Sequence, residues 1–152
     1  MKKQNVSLTP LMALARMKKY CDYQERCHQE VRNKLLQLGV YGMDLEEVII
    51  QLIQEGFLNE ERYARSFVRG KFRIKRWGKM KLVFELKKKK ISSYCIEAGL
   101  EEIDDTAYQD AILYNIQKAK DAGNDNDYLI VNYLVRKGFE AELVRSIMKD
   151  LG

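Results

Sequence analysis

Leu35-Leu36-Gln37-Leu38-Gly39-Val40 returns as Leu86-Lys87-Lys88-Lys89-Lys90-Ile91 and again as Leu134-Val135-Arg136-Lys137-Gly138-Phe139. Each copy gives a leucine, three residues, a helix stop and an apolar residue. The stops fall at 39, 90 and 138, spacings of 51 and 48. Glycine suits a stop because the left-handed backbone that closes a helix crowds a Cβ. Lys90 holds that place in the middle copy at a cost of about 1 kcal/mol. Either that helix runs on a little, or the added charge offsets the strain.

The surroundings of the three stops match as well. An amphipathic helix precedes each, and a short helix follows. After Val40, Asp44 and Glu47 suggest a capping box opening a helix with apolar positions 45, 48, 49, 52 and 53. After Ile91, Ser92 or Ser93 is the expected cap. After Phe139, Leu143, Val144, Ile147, Met148 and Leu151 share one face. A longer helix lies upstream of each pair. Thr9 and Pro10 start the first, Asn59 with Glu60 and Glu61 the second, and Asp104 or Asp105 the third. Residues near 124–128 read as a loop behind Gly123. The expected fold is all-α, three tandem three-helix repeats at 8–57, 58–103 and 104–152, stacked as an elongated, curved array.

Charge is distributed unevenly over these units. Thirteen of the 27 Lys and Arg lie between residues 62 and 90, against a single acid, Glu85. The net charges of 1–61, 62–90 and 91–152 are −1, +12 and −6, which give the overall +5. At helical spacing Arg62, Arg65, Arg69, Arg73 and Arg76 fall within an arc of about 80°, with Tyr63, Ala64, Phe67, Val68 and Ile74 opposite. This helix is expected to end near Arg73. The next should bury Leu82, Val83 and Leu86 and expose Lys79, Lys81, Lys87, Lys88 and Lys89. A solvated helix face usually mixes signs, whereas a one-sign arginine stripe suits phosphate or carboxylate. Trp77 is placed to stack on a base, although tryptophans more often seal a joint between helices.

Other chemistry is poorly supported. Cys21, Cys27 and Cys95 form an odd, unpatterned set suited to a reducing cytoplasm. His28 beside Cys27 lacks the ligands of a metal site. No nucleophile elbow, phosphate-cradling loop or carboxylate pair appears. No apolar run approaches the roughly 18 residues of a membrane span, and 1–10 lack the apolar stretch of an export signal. The expectation is a monomeric cytoplasmic protein without cofactor, metal or catalytic residue.

Residues 57–71 and 76–92, with 30–40 and 132–148, resemble in order and spacing the RecX family of bacterial RecA regulators. Lys90 replaces a usual glycine, and Lys79 stands where proline is common. The resemblance implies binding in the groove of RecA–DNA filaments, suppressing strand exchange, ATP turnover and co-protease activity. It also implies that Arg65, Arg69, Arg73, Arg76, Lys79 and Lys81 face the filament or its DNA, with Lys87 and Lys88 added by the charge pattern. Binding to the DNA phosphate backbone alone would be weak. Two other readings use the same residues: a stand-alone nucleic-acid-binding module, and a helical scaffold that docks an acidic protein.

Overall fold

A computed structural model describes residues 8–152, so the lysines of the opening segment lie outside the described residues. Among the described residues there are nine helices and no strand. Three helices, α1 (Pro10–Tyr23), α2 (His28–Gln37) and α3 (Gly42–Gln54), form the first group. The second is α4 (Glu60–Lys75), α5 (Lys79–Lys88) and α6 (Ser93–Leu100). The third is α7 (Asp105–Asp121), α8 (Asp127–Arg136) and α9 (Ala141–Leu151). Helices pack chiefly within their own group.

Local chemistry sets most of these boundaries. The side chains of Thr9, Asn59, Ser92 and Asp104 accept hydrogen bonds from the amides of Met12, Arg62, Cys95 and Ala107. All three stops are left-handed, with φ of 81° at Gly39, 62° at Lys90 and 99° at Gly138. The middle helix therefore does not run on; Lys90 accepts the strain. In each group the second helix begins eleven residues before its stop and is 10 residues long. The first helices vary, at 14, 16 and 17 residues.

Several expectations require correction. No capping box forms at Asp44: α3 starts at Gly42 behind Tyr41, and Asp44 lies inside its first turn. Helix α4 continues to Lys75 and closes on Arg76, itself left-handed at φ 53°. Ile74, placed with the inward residues opposite the arginines, is exposed, and Ile53, Leu143 and Leu151 are exposed too. Val83 is only partly buried. Asn126 caps α8, so Asp127 and Tyr128 are helical.

Two cores hold the chain together. Ala13, Met17, Val31, Leu35, Val48 and Leu52 anchor one confined to α1–α3 and the residues that follow. The other is continuous through α4–α9 and takes a single residue from the first group, Cys27. The reason for that continuity is a backbone seam. The amides of Gly78 and Met80, at the start of α5, donate to the carbonyls of Lys137 and Gly138 beyond α8, at 2.8 and 3.0 Å. Between them the Lys79 amide donates to Tyr108 Oη at 2.9 Å, and that hydroxyl donates to Glu140 at 2.5 Å. The third group thus satisfies the open amides of α5, which has no side-chain cap of its own.

The seam tolerates no side chain. A Cβ on Gly78 would lie 2.2 Å from the Gly138 carbonyl carbon, and one on Gly138 would lie 2.4 Å from Lys81 Cβ. Gly70, inside α4, has open space around it. Gly78→Ala should therefore destabilise by about 3 kcal/mol or more through backbone displacement and lost hydrogen bonds. Gly70→Ala should stabilise by up to about 1 kcal/mol through helix propensity. Urea unfolding of both variants checks this pair of opposite signs; equal midpoints would show that the seam is not tightly packed.

Candidate polyanion interface

The arginine stripe is present on α4, but its leading half is not free. Arg62 Nε meets Glu25 at 2.6 Å, and its NH2 reaches the carbonyls of Gly56 and Phe57. Arg65 is surrounded by Glu61 at 3.2 Å, Glu101 at 3.0 Å and Glu102 at 2.8 Å. Arg69 shares Glu102 at 3.1 Å. These contacts correct the expectation that Arg65 and Arg69 stand ready for an external anion. Helix α6 crosses α4 so closely that a Cβ on Gly99 would lie 3.0 Å from the Ala64 carbonyl oxygen. The crossing carries Glu101 to Arg65, 36 residues away in the chain, and Glu102 to Arg65 and Arg69, 37 and 33 residues away.

Hydrogen bonds from Arg65, and then from Arg69, hold the Glu102 carboxyl below the usual carboxylate range. The hydrogen bonds that Arg65 donates to Glu102, Glu101 and Glu61 raise its guanidinium in return. Both groups face solvent, so the network fixes geometry more than it adds stability.

The trailing half differs. Lys71, Arg73, Lys75, Arg76, Lys79, Lys81, Lys87 and Lys90 have no carboxylate among the described residues within ion-pairing distance. Several are instead held by aromatic rings, which fix a cation without cancelling its charge. The Arg76 guanidinium lies 3.7 Å from the Tyr114 ring centre, and Lys79 Nζ lies 4.7 Å from that of Tyr108. Lys81 and Lys71 lie 4.8 and 5.4 Å from Trp77. Lys88 and Lys89, by contrast, approach Glu85 and Glu30 at 3.4 and 3.5 Å.

The single outward face expected of the arginines is thus split between two patches, with a third patch that holds no arginine. Arg62, Arg65 and Arg69 line one, compensated by acids. Arg73 and Arg76 line a second with Phe72, Asp110 and Tyr114. Lys71 and Trp77 line a third, on the side of α4 that faces α5. Sequence reading missed the residues that hold the second patch. Asn115, the one buried polar side chain among the described residues, donates to the Arg76 carbonyl at 3.2 Å and steadies its left-handed backbone. Tyr63 and Tyr108 occupy the same fourth position of α4 and α7 and plug the preceding group, a match that aligning the repeats would have found. Burial raises both phenols.

The remaining candidates are structural. Cys27 is buried at the start of α2, and burial pushes the half-buried Cys21 thiol up to about 11. His28 Nδ1 lies 3.6 Å from Glu60. No described helix is long and apolar enough to cross a membrane.

Fold and site together define a helical-repeat protein whose middle unit offers fixed, uncompensated cations. Residues 59–100 match the pattern described as "RecX, second three-helix domain". The "Regulatory protein RecX" of Prosthecochloris aestuarii is 29% identical over 91% of this chain and 93% of its own length. That of Bacillus cytotoxicus is 26% identical over 87% of this chain, which spans only 51% of it, about half. The crystal structure of RecX from Lactobacillus salivarius superposes with a TM-score of 0.82 at 25% identity, covering 93% of this chain and 96% of that one. Along most of its length the chain is thus similar to proteins of the RecX family.

Because Glu102 titrates below its ordinary value, its contacts with Arg65 and Arg69 should persist down to the unfolded-state pKa of about 4.3. They should fail only as pH falls further, through the folded value. Carboxyl chemical shifts followed by NMR should show Glu102 as one of the last glutamates to protonate. An ordinary midpoint there would mean that the arginines are free after all.

Proposed function

We propose that this chain regulates RecA by binding RecA–DNA filaments in the helical groove, lowering recombinase, ATPase and co-protease activity. It acts by occupying a surface and not by catalysis. In this reading the units 8–57, 58–103 and 104–152 lie along the groove, and the middle one meets DNA phosphate or acidic RecA surface. The observation that carries the reading is the set of six cations around the α4–α5 corner, Lys71, Arg73, Lys75, Arg76, Lys79 and Lys81, that lack internal carboxylate partners among the described residues. An unpaired arginine fork held in place can bind phosphate without first losing a partner. Similarity to the RecX family suggests the identity of the filament.

Arg73 and Arg76 are the sharpest test, because neither is committed to an acid. Arg76 contributes its carbonyl, not its guanidinium, to the Asn115 hydrogen bond, so a side-chain change spares that contact. Arg73→Glu with Arg76→Glu should raise the protein needed for half-inhibition of RecA strand exchange about ten-fold or more. Arg65→Ala, which removes an internal ion-pair network, should leave inhibition close to wild type. Strand-exchange and ATPase assays on both, with helicity checked by circular dichroism, decide the matter. Unchanged inhibition by the Arg73 and Arg76 pair sinks the site. Equally tight, steeply salt-dependent binding to bare DNA would instead indicate a stand-alone nucleic-acid module.

A further inference from the structure

We infer that the cleft between α4 and α5 binds one unstacked base of a single-stranded nucleic acid, with Lys71 and Lys81 on the flanking phosphates. The inference rests on the filament reading for its setting and names what the middle unit takes beyond phosphate. The two helices diverge behind Trp77, and the α1–α2 corner closes the far end, leaving about 440 Å³. Phe67 and the partly buried Trp77 give the cleft aromatic surface. Lys71 Nζ lies 5.7 Å from the Phe67 ring centre and 5.4 Å from that of Trp77, while Lys81 Nζ lies 4.8 Å from the Trp77 ring. Cations therefore stand beside the aromatic surface.

The lining also contains acceptors. Glu25 gives Oε2 to Arg62, while its Oε1 is buried without a hydrogen-bond partner among the described residues. Glu30 and Glu85 line the same cleft but already accept, Glu30 from the Cys27 amide and Lys89 and Glu85 from Lys88, which leaves Glu25 Oε1 as the open acceptor. Bare phosphate has no donor for these carboxylates, and an acidic peptide would be repelled by them. A nucleobase has a face to stack and amino donors on its edge, and its strand carries phosphates for the lysines. Duplex DNA keeps its faces stacked and does not present one.

Trp77 is the only tryptophan, so its fluorescence reports this cleft alone. Titrating the full chain with a short oligodeoxycytidylate at low salt should give saturable quenching. Lys71→Gln with Lys81→Gln should raise the midpoint and reduce its salt dependence. Trp77→Leu, followed by anisotropy of a labelled oligonucleotide, should weaken binding about ten-fold. Trp77→Phe, which keeps a ring, should lose less. Absence of quenching overturns the proposal, as does equal quenching by inorganic tripolyphosphate or by a duplex. If RecA inhibition survives such a failure, only the cleft assignment falls. If quenching holds but RecA is not inhibited, only the regulatory reading falls.

Discussion

The contact between Gly78 and Gly138 is the constraint on which the arrangement of charge depends. Two backbones meet there with no Cβ between them, and amides at the start of one helix are satisfied by carbonyls beyond the end of another. A seam of this kind fixes distance and rotation together, because hydrogen bonds and van der Waals contact both leave little slack. Trp77, Lys79 and Lys81 flank the seam, and Arg76 precedes it by two residues. Their orientation follows from it. Tyr108 strengthens the same joint by bridging the Lys79 amide and Glu140.

Within this frame the molecule sorts its cations into two kinds. Those facing the end of α6 are neutralised by Glu101 and Glu102. Beyond Gly70, Lys71, Arg76, Lys79 and Lys81 rest on aromatic rings and keep their charge. Carboxylate partners add rigidity to α4 and the α4–α6 crossing, whereas aromatic partners preorganise a cation for something outside the chain. One helix therefore ties its cations as far as Arg69 to the molecule's own acids and leaves the later ones, Lys71, Arg73 and Lys75, without a carboxylate partner among the described residues.

Features set by neighbours in the chain were legible in the sequence. Thr9, Asn59, Ser92 and Asp104 cap helices because capping needs only three residues of context. The stops at 39, 90 and 138 show themselves by repetition, and even Lys90 follows the pattern at a cost in strain. Pairings set by helix crossing were not legible. Nothing near Arg65 in the chain announces Glu101 and Glu102, since the small residues Ala64 and Gly99 determine that approach. Asn115 likewise looks like any polar residue on a helix until the carbonyl of Arg76 is found beneath it.

The constant length of the second helices has an evolutionary corollary. Each of α2, α5 and α8 is 10 residues long, while first and third helices vary. In α5 both ends touch other groups, through Gly78 at one end and the Lys89–Glu30 pair at the other. Inserting one residue would swing those ends about 100° relative to each other and part them by a further 1.5 Å or so. In α5 a single-codon indel would unfasten one joint or the other.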